Sequence, residues 1–529
     1  MLSISQELGC GLHGNGVSPD RSRRNPFHAP RSILSLPVVP RVRGGPDTAL
    51  GPVLILEVRD IQQRVRPRRD KVIFERIKSE GIAHNSYLLG SQSEAAVIDP
   101  RRDCHVYIDL AQRYGLRIKY IFETHRNEDY AIGSVELGHL TGAEVYHGPG
   151  LDWRYGSLLK DGQELRIGDL RLTALHTPGH TDEGMTYAVA DMNSGNATVL
   201  AFTGDALFVD DVGRTDLYGP EEGPRLAAAL YDSIHNRILP LGDGVILCAA
   251  HGAGSVCGAS IGERDESTLG IERVQNPMLQ FKDRDGFVEF KVHQKLERPP
   301  YFRVMEKYNL EGPPLLSCLP LPAPLTPFEF REEMMRGAVV VDTSWPAAFG
   351  GAHIKGSLSI WLEGLPAFAG WVLPYDKPIL LMLQDQLHLD TAVRYLVRLG
   401  YDNVLGYLKG GIEGWYNAGF RVEHLPLLSV HELKARLDRG EALTVVDDRS
   451  EDEFKAGHIE GAQNIYVGHL RNRMVDIPRD KPAAIMCNVG HRAGLGASIL
   501  LQEGCVEVYS VLGSMKAWTA AGYPVATEA

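Results

Sequence analysis

Five short segments hold the residue types that could do chemistry. Four of them carry imidazoles and carboxylates: Thr124-His125-Arg126-Asn127-Glu128-Asp129-Tyr130, His176-Thr177-Pro178-Gly179-His180-Thr181, Thr203-Gly204-Asp205 and His251-Gly252. Each places its chemical residue after an apolar, strand-like run. Side chains just past strand ends can converge at one sheet edge, which is how a rigid α/β scaffold builds a site. Imidazole and carboxylate are both metal ligands, so the four segments read together as a candidate metal centre. His176 is read as shaping the turn before Pro178, not as a ligand. The fifth segment, Cys487-Asn488-Val489-Gly490-His491-Arg492, follows a strand-like run and opens a helical one. Backbone N–H groups in such a loop form an anion nest at a helix N-terminus. That field, with the charge of Arg492, is expected to lower the thiol pKa and favour thiolate. Cys487 and Arg492 are thus the candidate catalytic pair there. Gly490 belongs to the nest that would bind thiosulfate or sulfite.

The elements that must position these residues begin at Val72. Val72–Ile77, Asn85–Leu89, Ala95–Ile98 and Ile118–Phe122 read as strands, and Val106–Tyr114 has helical spacing. The alternation continues to about residue 250 and indicates a layered α/β domain. Residues 1–71 are rich in Arg, Pro and Gly without periodicity and read as a disordered extension. Residues 310–327 are Pro-rich and read as a linker. Beyond it lie two units that look like each other. Ala352-His353-Ile354-Lys355-Gly356 matches Gly457-His458-Ile459-Glu460-Gly461, and Gly414-Trp415 matches Ala517-Trp518. This is an internal duplication of α/β units over residues 328–424 and 427–526.

The four metal-centre segments resemble, in order, the motifs of the metallo-β-lactamase superfamily over about residues 72–309. The resemblance implies an αββα sandwich. The superfamily's usual first motif is HxHxDH. His125 and Asp129 keep it, whereas Asn127 and Tyr130 replace two of its histidines. Those losses remove ligands that a dinuclear zinc hydrolase uses. What the resemblance leaves is His125, His180 and Asp205, the two-imidazole, one-carboxylate set of a mononuclear Fe(II) oxygenase. Within the superfamily, persulfide dioxygenases use these positions, and the run Thr203–Phe208 followed by Gly213-Arg214-Thr215-Asp216 is similar to theirs. The resemblance implies one Fe(II) per chain, with a thiol persulfide and O2 as substrates and sulfite as product. Glutathione, coenzyme A or a similar thiol would be the carrier. Arg214 is then a candidate clamp for the carrier's carboxylate. The alternative reading of Arg214 is a salt bridge with Asp216 or Asp211. His251 is expected beside the metal or lining the substrate channel, and Asp129 orients a ligand or packs.

The duplicated units resemble rhodaneses. The second carries Val445-Val446-Asp447-Asp448-Arg449, Gly457-His458-Ile459 and Trp518 around Cys487, and Asp448 and Arg449 are read as bracing the fold. In the first, Asp376-Lys377-Pro378 superposes on Asp480-Lys481-Pro482, which puts Leu383 at the position of Cys487, Gln386 at Gly490 and His388 at Arg492. That copy is expected to be inactive. The whole reads as an α/β multidomain protein that couples persulfide oxidation to thiosulfate formation or use. A zinc thioesterase or glyoxalase-type hydrolase and a non-catalytic sulfur-relay scaffold are the alternatives.

Composition narrows the classes. A formal charge of −12 over 529 residues argues against general nucleic-acid binding. No apolar run approaches the roughly 18–20 residues of a membrane span. The seven cysteines show no CxxC spacing, so neither a disulfide framework nor a structural zinc site is expected. The expected compartment is a reducing cytoplasm, and self-assembly into a homo-oligomer is left open.

Overall fold

The computed structural model describes residues 72–294 and 296–528. The extension over residues 1–71 therefore lies outside the described residues. Among them are four sheets, two in the first half and one in each duplicated unit.

The first half is a sandwich of two six-stranded sheets. One sheet runs in chain order through Ile73–Ser79, His84–Ser91, Glu94–Ile98, Arg117–Phe122, Glu144–His147 and Ser157–Leu158. The other runs Ser267–Thr268, Ile246–Ala249, Thr198–Gly204, Met185–Asp191, Leu170–His176 and Glu164–Ile167. Alternate side chains of a strand face opposite ways. Tyr87, Leu89, Ile98 and Phe122 of the first sheet accordingly meet Leu172, Tyr187, Val189 and Phe202 of the second in one buried layer. Helices cover the outer faces, among them His105–Tyr114 and Gly223–Ser233. This is the expected αββα arrangement.

Each duplicated unit is a five-stranded parallel sheet. In the first, the order is Ala323–Leu325, Val404–Leu408, Ile379–Met382, Val339–Asp342 and Leu358–Ser359. In the second, it is Leu427–Ser429, Val508–Leu512, Ala483–Met486, Thr444–Asp447 and Gln463–Asn464. The orders are equivalent. One linker boundary is corrected. Helix Phe302–Glu311 runs past residue 310, and Ala323–Leu325 pairs as a strand with Gly406–Leu408. Proline marked this stretch as linker, yet an edge strand tolerates proline because one side of it needs no ladder donor. Thr326 then caps the next helix with a reciprocal capping box to Glu329.

The first duplicated unit, expected to be inactive, sits between the other two bodies. Helix Phe302–Glu311 and the loop Tyr130–Ile132 share a buried apolar cluster with Leu396, Val397 and Leu399, and that cluster continues to Ile485 and Cys487. Charged groups are buried beside it with partners. Arg102 is bidentate to Asp402 (2.5 and 2.7 Å), and Arg398 is bidentate to Asp103 (both 2.9 Å). The Ala131 N–H donates to the Arg398 carbonyl at 2.7 Å, so the inactive copy directly braces the loop after His125.

Candidate metal centre and cysteine loop

Strand Arg117–Phe122 ends in a loop that aims His125 inward. Asp99 fixes the turn by accepting from the Thr124 N–H and hydroxyl, both at 2.7 Å. The Thr124 oxygen then lies 2.9 Å from His125 Nδ1. Because the hydroxyl proton is given to Asp99, that oxygen accepts from Nδ1–H. The lone pair of Nε2 is left to face the centre. His180 repeats the device: Nδ1 lies 2.9 Å from the Arg214 carbonyl, which can only accept. Both Nε2 atoms are buried; that of His125 has no hydrogen-bond partner among the described residues, and that of His180 faces Glu128 Oε1 at 3.1 Å.

Asp205 follows strand Thr198–Gly204 through a turn at Gly204 (φ 55°). A side chain at Gly204 would come within 2.7 Å of Thr124, so glycine lets the two ligand-bearing loops touch. Asp205 Oδ2 lies 3.7 Å from His125 Nε2 and 3.6 Å from His180 Nε2. Ligand atoms about 2.1 Å from one ion are at most about 4.2 Å apart, so each imidazole nitrogen lies within sharing distance of the carboxylate oxygen. His251 grips the far side of Asp205, with Nδ1 2.8 and 3.0 Å from its two oxygens and Nε2 2.9 Å from Asp129 Oδ2. Burial works against a charged His251, but Asp129 and Asp205 overcome it and hold the imidazolium well above its ordinary range. Burial pulls His125 down to about 4.

The sequence reading missed two residues here. Glu128 Oε1 is 3.1 Å from His180 Nε2, and the donors of His125, Glu128 and His180 lie within 4.8 Å of one another. The Cys257 thiol donates to the same Glu128 oxygen at 3.4 Å and stands within reach of Asp129 and His251. The only signal for Glu128 was its place inside the first motif, and for Cys257 its position six residues after His251. Asn127 turns away and donates to the His125 carbonyl at 3.2 Å, while Tyr130 packs on His84 at 4.0 Å between ring centres.

Arg214 is corrected. Its Nε and one NH2 donor bind Asp216, both at 2.7 Å, and its other donors go to the carbonyls of Val256, Leu296 and Glu297. All five N–H groups of a guanidinium are thereby used. The clamp expected for a carrier carboxylate is an internal brace behind His180. Arg214→Gln should therefore lower stability by about 2–3 kcal/mol and leave relative KM values unchanged between thiol carriers with and without a carboxylate. A KM rise confined to carboxylate-bearing carriers would restore the clamp.

In the second duplicated unit, strand Ala483–Met486 delivers Cys487 into the loop before helix His491–Gln502. Gly490 adopts φ 103°, a conformation glycine favours, and its N–H points at Cys487 Sγ at 3.0 Å. Helix Ser514–Ala520 buttresses the loop: the Ser514 hydroxyl accepts from the Cys487 N–H at 3.0 Å, and the Met515 and Lys516 N–H groups donate to the Cys487 and Asn488 carbonyls. Trp345 and Trp361 of the inactive copy flank His491, at 5.0 and 5.2 Å between ring centres. The lowered thiol pKa is corrected. Burial raises the Cys487 thiol and Asp448 adds to the rise; the N–H groups and Arg492 oppose without winning. The reason is that Arg492 is already neutralised by Glu453, at 2.7 and 2.8 Å. Arg449 does brace the fold, through Asp447 and the Glu453 and Gly457 carbonyls.

Comparison with known families agrees with this domain order. Residues 80–251 match the model of the metallo-beta-lactamase superfamily, and residues 326–418 and 429–521 each match the rhodanese-like domain. Human "Persulfide dioxygenase ETHE1, mitochondrial" is 31% identical over 222 residues, which cover 40% of this chain and 78% of that protein. The chain belongs to the metallo-beta-lactamase superfamily. Its superfamily domain is also similar to "Hydroxyacylglutathione hydrolase GloC" of Haemophilus influenzae, 27% identical over 37% of this chain and 92% of that protein. Among solved structures, a metallo-beta-lactamase of Staphylococcus aureus subsp. aureus COL superposes with a TM-score of 0.58 at 28% identity, covering 64% of this chain and 99% of that one. Two rhodanese-like domains thus follow the superfamily domain in one chain.

Proposed function

We propose that this chain is a mononuclear iron persulfide dioxygenase coupled to a sulfurtransferase. The observation that carries the reading is the pair of buried imidazole nitrogens facing one carboxylate oxygen at 3.6 and 3.7 Å. Asn127 and Tyr130 stand where further histidines would complete a dinuclear set. His125, His180 and Asp205 would hold the ion, a donor set that suits Fe(II) and leaves open positions. Bound iron would supply the redox chemistry by which O2 is joined to sulfur. The chain's residues do the positioning. Thr124 and the Arg214 carbonyl fix the two tautomers, and His251 immobilises the carboxylate.

A cavity of about 460 Å³ opens beside His251; His84, Asn85 and Gly252 line it, as do the charged residues Arg76, Lys78, Glu80, Glu263, Arg264 and Asp265. A thiol persulfide carried by glutathione, coenzyme A or a similar small thiol would enter there. The balanced reaction is RSSH + O2 + H2O giving RSH, sulfite and two protons. Cys487 would then carry a sulfane sulfur between persulfide, sulfite and thiosulfate. Joining both sites in one chain raises the effective concentration of product at the second. Among the described residues no helix is long and apolar enough to cross a membrane.

A second reading has one observation in its favour. Glu128, and the group Asp129, His251 and Cys257, could admit a second ion and a hydrolase of the hydroxyacylglutathione type. Metal analysis with oxygen uptake separates the two. The dioxygenase reading expects about one iron per chain and O2 consumption with glutathione, coenzyme A or cysteine persulfide. Two zincs with thioester hydrolysis and no O2 uptake would overturn it.

A further inference from the structure

The carboxyl group of Asp448 is out of keeping with its surroundings. It is fully buried, and neither of its oxygens has a hydrogen-bond partner among the described residues. A buried carboxyl in that condition is costly and calls for an explanation. The sheet register says what it stands beside. Asp447 pairs with Met486 in parallel strands, and the Asp448 N–H donates to the Met486 carbonyl at 2.9 Å. Asp448 and Cys487 are the next residues along the two strands, and the carboxyl makes no hydrogen bond to the thiol. The carboxyl also lies against helix His491–Gln502, where a side chain at Gly496 would meet its Oδ2 at 2.8 Å.

The two arginines nearby are spoken for, Arg449 by Asp447 and two carbonyls, Arg492 by Glu453. The inactive copy supplies an internal control. There, Asp342 pairs with Met382, so Thr343 and Leu383 hold the places of Asp448 and Cys487. Thr343 is satisfied, its hydroxyl donating to the Met382 carbonyl at 3.2 Å. At these two positions the carboxyl and the thiol occur together and are missing together, although Asp342 Oδ2, one residue earlier in the first copy, is likewise buried without a partner.

We infer that Asp448 is the acid–base partner of Cys487, taking the thiol proton when sulfur is loaded and returning it when sulfur leaves. The inference rests on the sulfur transfer proposed above. On loading, Cys487–SH attacks the terminal sulfur of RSSH. The new S–S bond forms as the RS–S bond breaks, the Cys487 proton passes to the Asp448 carboxylate, and the persulfide proton leaves on RSH. Cys487 then holds –S–S⁻ beside a neutral Asp448. On unloading, sulfite attacks the terminal sulfur, thiosulfate departs, and the proton returns from Asp448 to Cys487. The buried pair keeps one proton and one negative charge throughout. The surroundings favour a retained proton: burial and then Asp447 and Glu453 raise Asp448 well above the carboxylate range against Arg492 and Arg449. Cys487 is raised too, and Tyr466, the other titratable group facing the pair, is pushed up to about 12.

Between the two apparent pKa values of such a pair, its thiolate fraction does not change with pH. The full chain is treated with iodoacetamide from about pH 6.5 to 8.5, and modification at Cys487 is read by peptide mass; single-turnover loading from thiosulfate is followed in parallel. The wild type should vary by less than about threefold over this range. Asp448→Asn should rise about tenfold per pH unit, as a lone thiol does below its pKa. A wild-type rate that already climbs tenfold per unit overturns the inference, even if Asp448→Asn fails to fold. So does an Asp448→Asn profile that overlays the wild type. A flat wild-type alkylation profile in a protein that loads no sulfur overturns the proposed transfer and leaves the pair standing.

Discussion

His180→Ala is expected to abolish persulfide-dependent O2 uptake, by about 10³-fold or more, and to reduce bound iron to trace levels. The magnitude follows from the ligand count. His180 is one of three protein donors to the proposed ion, and its Nε2 lies 3.6 Å from Asp205 Oδ2. Removing a donor from an open three-ligand site weakens metal affinity directly, more than the 10–100-fold lost when only a supporting contact goes. The fold should survive. Alanine leaves the Arg214 carbonyl without its donor, a cost of about 1–3 kcal/mol. Sulfur transfer at Cys487 should be unchanged, because that loop rests on Ser514 and the inactive copy, not on the metal loops. Metal content, O2 uptake and thiosulfate:cyanide transfer on one preparation check all three. Retained O2 uptake after this substitution would sink the dioxygenase proposal.

Cys487→Ser is the complementary experiment. Sulfane transfer should fall to background, because a hydroxyl cannot carry sulfur and is a far weaker nucleophile than a thiol. O2 uptake should persist within about twofold, and the product should shift from thiosulfate to sulfite. The change is almost isosteric, the N–H to Ser514 is untouched, and the Gly490 N–H can still point at an oxygen. Thiosulfate formation at the wild-type rate would show that sulfite and persulfide combine elsewhere. Together the two variants assign one half-reaction to each end of the chain.

Much of this molecule could be read from local pattern. Apolar runs marked the strands that precede His125 and Asp205, both of which pack into the sandwich. The duplication was visible as paired motifs, and both units match the rhodanese-like domain. The order of the histidine and aspartate segments pointed to one metal centre because all sit just past strand ends.

What the sequence could not decide was which way loop side chains point and which distant groups they meet. Glu128 reaches His180 because the loop folds back over the strand ends, and nothing in its spacing said so. Arg214 is spent on Asp216 and three carbonyls, two of them from residues 82 and 83 positions later. The nest at Cys487 was legible, but its electrostatic sign was not. Glu453 and Asp448 arrive from other elements, and burial amplifies charges that sequence separation hides. Residue type and order, then, determined which groups were available for chemistry. Only packing, which sets distance and dielectric, decided which of them face the metal position, which are neutralised, and which are left holding a proton.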